Sequence, residues 1–241
     1  MPEALRGKLW IKLLKVQETS VNYSYNTYSK LKEMPNQEVE DMLQKDVDRT
    51  MSELKLWREE ILCGNNKLFN VLKAFANLDT EVSYVQGLNY IVAIMLIYIQ
   101  DEETVFWCLV FLMNNKNWRE VYTKDFPKLK SMCRTLEKRM KIQHPEVLRH
   151  LLNNEMITEG TFAAHFMTLF VYLTPIEIAT RLFELFVIDG ESALVEVLLR
   201  MIGLKKAKIL SLADGDLIKY MQRGMIIECT EEFPISALFN Y

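Results

Sequence analysis

The chain has 241 residues, half of them hydrophobic and a quarter charged, with a net charge of −3. This is a globular composition, long enough for one sizeable core. It lacks the basic excess that nucleic-acid binding uses, and it argues against a purely electrostatic grip on anionic lipid. Only 8 Gly and 6 Pro occur, so the composition leans towards helices rather than a turn-rich β fold. Cys63, Cys108, Cys133 and Cys229 are scattered, with no C-x-x-C pair and no zinc spacing. They read as small core residues in a reducing compartment. No signal peptide is recognisable, and the most apolar run, Ile91–Ile99, is too short to span a bilayer.

Leu5, Leu9, Leu13 and Leu14 recur at helical spacing, so residues 3 to 15 are expected to form an amphipathic helix. Arg6-Gly7-x-x-Trp10 lies inside it and, alone, marks no more than a buried Trp. Residues 17 to 34 are polar, with Tyr28 and Leu31 spaced to share a helix face. Pro35-Asn36 breaks the chain. Glu38, Glu40 and Asp41 suit a helix N-terminus, which places a helix start near residue 37. Leu54, Trp57, Ile61 and Leu62 extend a helical stripe, and Cys63-Gly64-Asn65-Asn66 is expected to end it with a turn.

Within this segment Asp46 and Arg49 stand three apart and can pair on one helix face. The ordinary reading is a surface salt bridge, which contributes little. The sharper reading is a carboxylate holding a guanidinium ready, because that group is planar, always charged and matched to phosphate oxygens.

Leu68, Val71, Leu72, Phe75 and Leu78 predict the next helix, followed by a loop at Asn77–Thr80. Tyr84-Val85-Gln86-Gly87-Leu88-Asn89 leads into the nearly all-apolar segment ending at Ile99, which is expected to be a central helix. Gln86 and Asn89 therefore sit at the entrance to a buried element, where a polar side chain must find partners or face a cleft.

Asp101 is expected to cap a helix through Met113, with a loop at Asn114–Asn117. Leu129, Met132, Cys133, Leu136 and Met140 give another helix. After His144, Pro145 opens the following one. Residues 157 to 173 are apolar and include His165, which reads as a core or edge residue. Thr174-Pro175-Ile176-Glu177 is expected to form a capping box. The helix after it carries Ala179, Leu182, Phe183, Phe186 and Val187 and ends at Asp189-Gly190. Leu194–Ile202, a piece near Leu217–Met221 and a last turn within Pro234–Tyr241 complete about a dozen or more helical segments. No strand alternation and no fixed repeat emerge. The expectation is all-α, one multi-helix domain over 1–241, with a weak division near 125 giving two helical subdomains.

Taken together, three ordered motifs resemble the TBC domain of GTPase-activating proteins for Rab GTPases. They are R-x-x-x-W at Arg6 to Trp10, I-x-x-D-x-x-R-T at Leu43-x-x-Asp46-x-x-Arg49-Thr50, and Y-x-Q-G at Tyr84-x-Gln86-Gly87. The interval between Arg49 and Gln86 also fits, and the resemblance covers nearly the whole chain. Three departures are visible. Ser52 stands where the family commonly has Pro, Phe183-Glu184 where it has a Trp-Asp pair, and no Trp occurs around Phe166.

The resemblance implies a GTPase activator, not itself an enzyme, acting in trans on a GTP-bound Rab by a dual-finger mechanism. Arg49 would be the arginine finger and Gln86 would position the attacking water. Asp46 would orient Arg49; Tyr84 and Asn89 would line the same cleft and fix Gln86; Thr50 and Gly87 belong to the same motifs. GTP and Mg2+ would come with the GTPase. The chain itself has no G-x-x-x-x-G-K-[ST] and no obvious carboxylate cage for a metal. A cytoplasmic location with peripheral recruitment to endomembranes, in vesicle trafficking, is the implied setting. The alternative is a TBC-fold domain that binds a Rab as effector or scaffold with little activation.

Overall fold

A computed structural model describes residues 2–53, 64–172 and 174–239. The chain divides into two compact units, 1–125 and 126–241. All regular structure among the described residues is helical.

The first unit contains α1 (Glu3–Leu13), α2 (Val16–Ser20), α3 (Thr27–Glu33), α4 (Gln37–Glu53), α5 (Gly64–Leu78), α6 (Leu88–Ile99) and α7 (Glu102–Asn115), then a 3-10 turn at Trp118–Val121. α5 is its hub and packs against α3, α4, α6 and α7. Leu68, Val71, Leu72 and Phe75 supply its apolar side, as their spacing predicts. α6 is buried on every side from Leu88 to Leu96, which removes any amphipathic pattern from its sequence. Asp101 caps α7 by accepting from the Thr104 N–H at 2.8 Å.

The Arg6–Trp10 segment converges on one residue of α6. The Arg6 guanidinium lies 4.9 Å over the Tyr98 ring. Trp10, fully buried, meets the same ring edge-on at 5.0 Å. Between them Gly7 rests against the Tyr98 carbonyl so closely that a Cβ would stand 2.0 Å from its oxygen.

The second unit contains α8 (Pro127–Gln143), α9 (Pro145–Asn153), α10 (Thr158–Met167), α11 (Ile176–Asp189), α12 (Glu191–Leu204), α13 (Lys206–Ser211), α14 (Asp214–Lys219), a π-helical turn (Tyr220–Gly224), α15 (Met225–Glu232) and α16 (Ile235–Phe239). α12 is central, touching α8, α11, α13, α15 and α16. Pro127 and Pro145 open α8 and α9, where a missing N–H costs nothing.

Three local expectations change. Gly64, Asn65 and Asn66 are helical and open α5 instead of forming a turn. Asn77 also stays in α5, because it is buried and used: it accepts from Asn36 Nδ2 at 2.8 Å and donates to the carbonyls of Leu31 and Met34 at 2.9 and 3.1 Å. It thereby satisfies carbonyls at the end of α3. The capping box at Thr174 does not form. Pro175 precedes the first helical residue, no side chain caps α11, and the buried Thr174 hydroxyl has no hydrogen-bond partner among the described residues. Leu54, Trp57, Ile61, Leu62 and Cys63 lie outside the described residues. The backbone at position 52 continues α4, so Ser52 leaves the helix after Arg49 unbroken. Phe166 and Phe183 are fully buried, and Glu184 pairs with Arg181 at 3.3 Å.

Candidate functional site

Asp46, Arg49 and Thr50 lie on α4, one turn apart; Tyr84, Gln86, Gly87 and Asn89 lie on the α5–α6 connection and the first turn of α6. Local spacing brings Asp46 and Arg49 together. Packing of α4 on α6 brings the two groups together.

Asp46 is the junction. One carboxylate oxygen accepts from Arg49 Nη2 at 2.9 Å, and the other accepts from the Tyr84 hydroxyl at 2.7 Å. The Asp46 carbonyl accepts from the Thr50 hydroxyl at 2.6 Å. Thr50 in turn accepts from Asn89 Nδ2 at 2.5 Å, and Asn89 Oδ1 accepts from the Gly87 N–H at 2.8 Å. Thr50 and Asn89 are fully buried, where unmet polar groups are costly, so these bonds fix their geometry. Burial, and then the bond to Asp46, push the Tyr84 phenol well above its ordinary range, so it stays a donor.

Above this sealed layer the two remaining side chains face outward. Arg49 is 45% exposed while its Asp46 partner is 17% exposed. Gln86 is exposed, flanked by the nearly buried Tyr84 and the buried Gly87. Gly87 has φ +117° and ψ −35°, a conformation strained for any residue with a side chain. Asn89 lies beneath the surface, where it has found partners, and it holds the backbone next to Gln86.

Two partnerships here were not read from the sequence. Thr50–Asn89 joins residues 39 apart. Arg119, on the 3-10 turn after α7, forks onto both carboxylate oxygens of Asp79 at 2.6 and 2.9 Å and reaches Glu81 at 2.6 Å. Burial alone would raise the Asp79 carboxyl. The Arg119 bonds and the Val82 N–H outweigh it and hold the group below its usual range. No short-range pattern flags either pairing.

Elsewhere, a cleft of about 800 Å3 is lined by Lys15, Thr19, Asn22, Phe111 and Asn114, and a cavity of about 200 Å3 lies beside His165, Tyr172 and Gln222. Neither includes any of the seven site residues. Burial lowers the His165 imidazole to about 4, so it is neutral near pH 7. Burial likewise raises the Cys133 and Cys229 thiols to about 12, which makes them inert. No cluster of three or more His, Cys, Asp or Glu among the described residues could hold a metal.

The Rab-GTPase-TBC domain family model matches residues 3–210. The chain is 30% identical over its full length to the Caenorhabditis elegans "Rab GTPase-activating protein eat-17", of which it covers 26%. It is 27% identical over 92% of its length to the human "Ecotropic viral integration site 5 protein homolog", covering 27% of that protein. The chain thus spans about a quarter of these relatives' length. In fold it is similar to the Chlamydomonas flagellar RabGAP TBC domain, with a TM-score of 0.79, 21% identity, and coverage of 100% of this chain and 81% of the other. The Ypt/Rab-GAP domain of Gyp1p gives a TM-score of 0.78 at 15% identity, covering 92% and 82%.

Proposed function

We propose, because the chain belongs to the Rab-GTPase-TBC domain family, that it accelerates GTP hydrolysis by a Rab-family GTPase and supplies Arg49 and Gln86 in trans. The observation that carries this reading is the division of the site into two layers. A buried hydrogen-bonded layer spends Asp46, Thr50, Tyr84, Asn89 and the Gly87 N–H on positioning, and leaves an arginine and a glutamine outward.

A GTPase alone hydrolyses GTP slowly, because charge on the phosphate oxygens is undercompensated and the attacking water is loosely oriented. Arg49 would place a planar, permanently charged donor against the β/γ-phosphate oxygens. Asp46 holds it by one nitrogen, so little side-chain freedom remains to be lost on docking. Gln86 offers both a carbonyl and an amide group, enough to accept from a water and donate to its surroundings. GTP and Mg2+ would arrive with the GTPase. No described helix is long and apolar enough to cross a membrane.

The test is single-turnover GTP hydrolysis by a panel of Rab GTPases, with the chain and with Arg49→Ala and Gln86→Ala. Acceleration of ~10³–10⁵ on one or a few Rabs, abolished by Arg49→Ala and sharply reduced by Gln86→Ala, is the expected result. GTP-dependent binding without acceleration on any Rab would replace this reading with that of an effector or scaffold.

A further inference from the structure

Gln86 is carried by a loop, and an exposed side chain on a loop is only as well placed as the backbone beneath it. The segment from Asp79 to Gly87 joins α5 to α6. Its second half is fastened by the Tyr84–Asp46 and Gly87–Asn89 bonds. Its first half has a separate anchor. The Asp79 carbonyl accepts from the Ser83 N–H at 2.7 Å, and the Asp79 carboxylate accepts from the Val82 N–H at 3.2 Å, which folds the loop back on its first residue. Ser83 then turns through φ +53°, a left-handed conformation that costs energy for a residue with a side chain. Such a turn persists only where its surroundings enforce it.

Arg119 grips Asp79, the residue on which this turn folds back. It comes from a different part of the chain, a 3-10 turn whose Trp118 and Val121 are fully buried. Its Nε and Nη2 grip both oxygens of Asp79 bidentately, and Nη2 also reaches Glu81. A bidentate fork fixes the plane of the carboxylate as well as its distance. Asp79 is thus locked in the rotamer that receives Val82. We propose that Arg119 is a positioning residue for the water-orienting glutamine: it holds the loop's first half so that Gln86 stands at a fixed height over the Asp46–Asn89 layer. This rests on the Gln86 role proposed above.

The experiment is a double-mutant cycle between Arg119 and Gln86, read by the maximal single-turnover rate on an accepted Rab and by the half-saturating concentration. A residue acting through Gln86 has nothing to act on once Gln86 is gone. Arg119→Ala should lower the maximal rate roughly 10-fold, within the ~10²-fold that an ångström of misplacement can cost. It should leave half-saturation unchanged and produce no further loss in the Gln86→Ala background. Arg119→Lys, which keeps the charge but loses the fork, should fall between the two, and it carries the cycle if Arg119→Ala does not fold. An equal loss in both backgrounds, a change confined to half-saturation, or no loss would overturn the proposal. If Gln86→Ala costs nothing while Arg49→Ala abolishes acceleration, the glutamine reading itself fails and Arg119 loses its role with it.

Discussion

Arg49 in the first unit and Lys205 in the second are both cations held by carboxylates, and they are built inside out with respect to each other. Arg49 is 45% exposed over a 17% exposed Asp46. Lys205 is 6% exposed, with Glu228 at 3.3 Å and Glu232 at 2.6 Å, themselves 36% and 56% exposed. Tyr84 steadies the half-buried anion in the first cluster, and Tyr220 donates to Glu228 at 2.8 Å in the second. The parts match; the direction differs. A cation turned inward is consumed by its own fold, here also by the Phe233 ring at 5.5 Å. A cation turned outward over a carboxylate partner is, on the reading proposed above, the one that meets phosphate oxygens.

The comparison is sharpened most by Arg49→Lys. If orientation matters as much as charge, lysine should lose nearly all of the ~10³–10⁵ acceleration, because it lacks the planar fork. Single-turnover rates within a few-fold of the parent would show that Asp46 is not orienting anything useful. Next comes Tyr84→Phe, which deletes a 2.7 Å bond to a carboxylate. Hydrogen bonds to charged groups contribute roughly 1.5–3 kcal/mol, so urea unfolding should show a loss of that size, together with a smaller rate defect than Arg49→Lys. A stability loss with an unchanged rate would separate the supporting layer from the chemistry. Smallest is Lys205→Met. The stranded carboxylates keep their water and methionine fills the space, so stability should fall by about 1 kcal/mol or less. The rate per folded molecule should not change. A rate defect there would break the distinction drawn between the two clusters.

What the sequence made legible follows range. Local pattern exposed Asp46 with Arg49, the buried face of α5, the cap at Asp101 and the helix start at Pro145, because each depends on neighbours within a turn or two. Gln86 and Asn89 stood out because they are polar at the mouth of an apolar run. The Thr50–Asn89 and Asp79–Arg119 bonds span 39 and 40 residues, and one sequence carries no local trace of such a pairing. Range also explains the loop expected at Asn77. Its surroundings have turn-like composition, but α5 is the hub of its unit, and Asn77 is bonded to Asn36, Leu31 and Met34. Tertiary partners there override local preference. At Thr174 the error runs the other way: a short motif promised a cap that the backbone does not use.

The close seating of Gly7 on the Tyr98 carbonyl gives position 7 an alphabet of one letter. The obstacle is main chain, which cannot swing aside as a side chain can, so even alanine would have to lift α1 away from α6. Leu5, two residues earlier, is half exposed and free to drift through many residue types. Two neighbouring positions of one helix therefore face opposite mutational regimes, and the stricter one is set by the absence of a side chain.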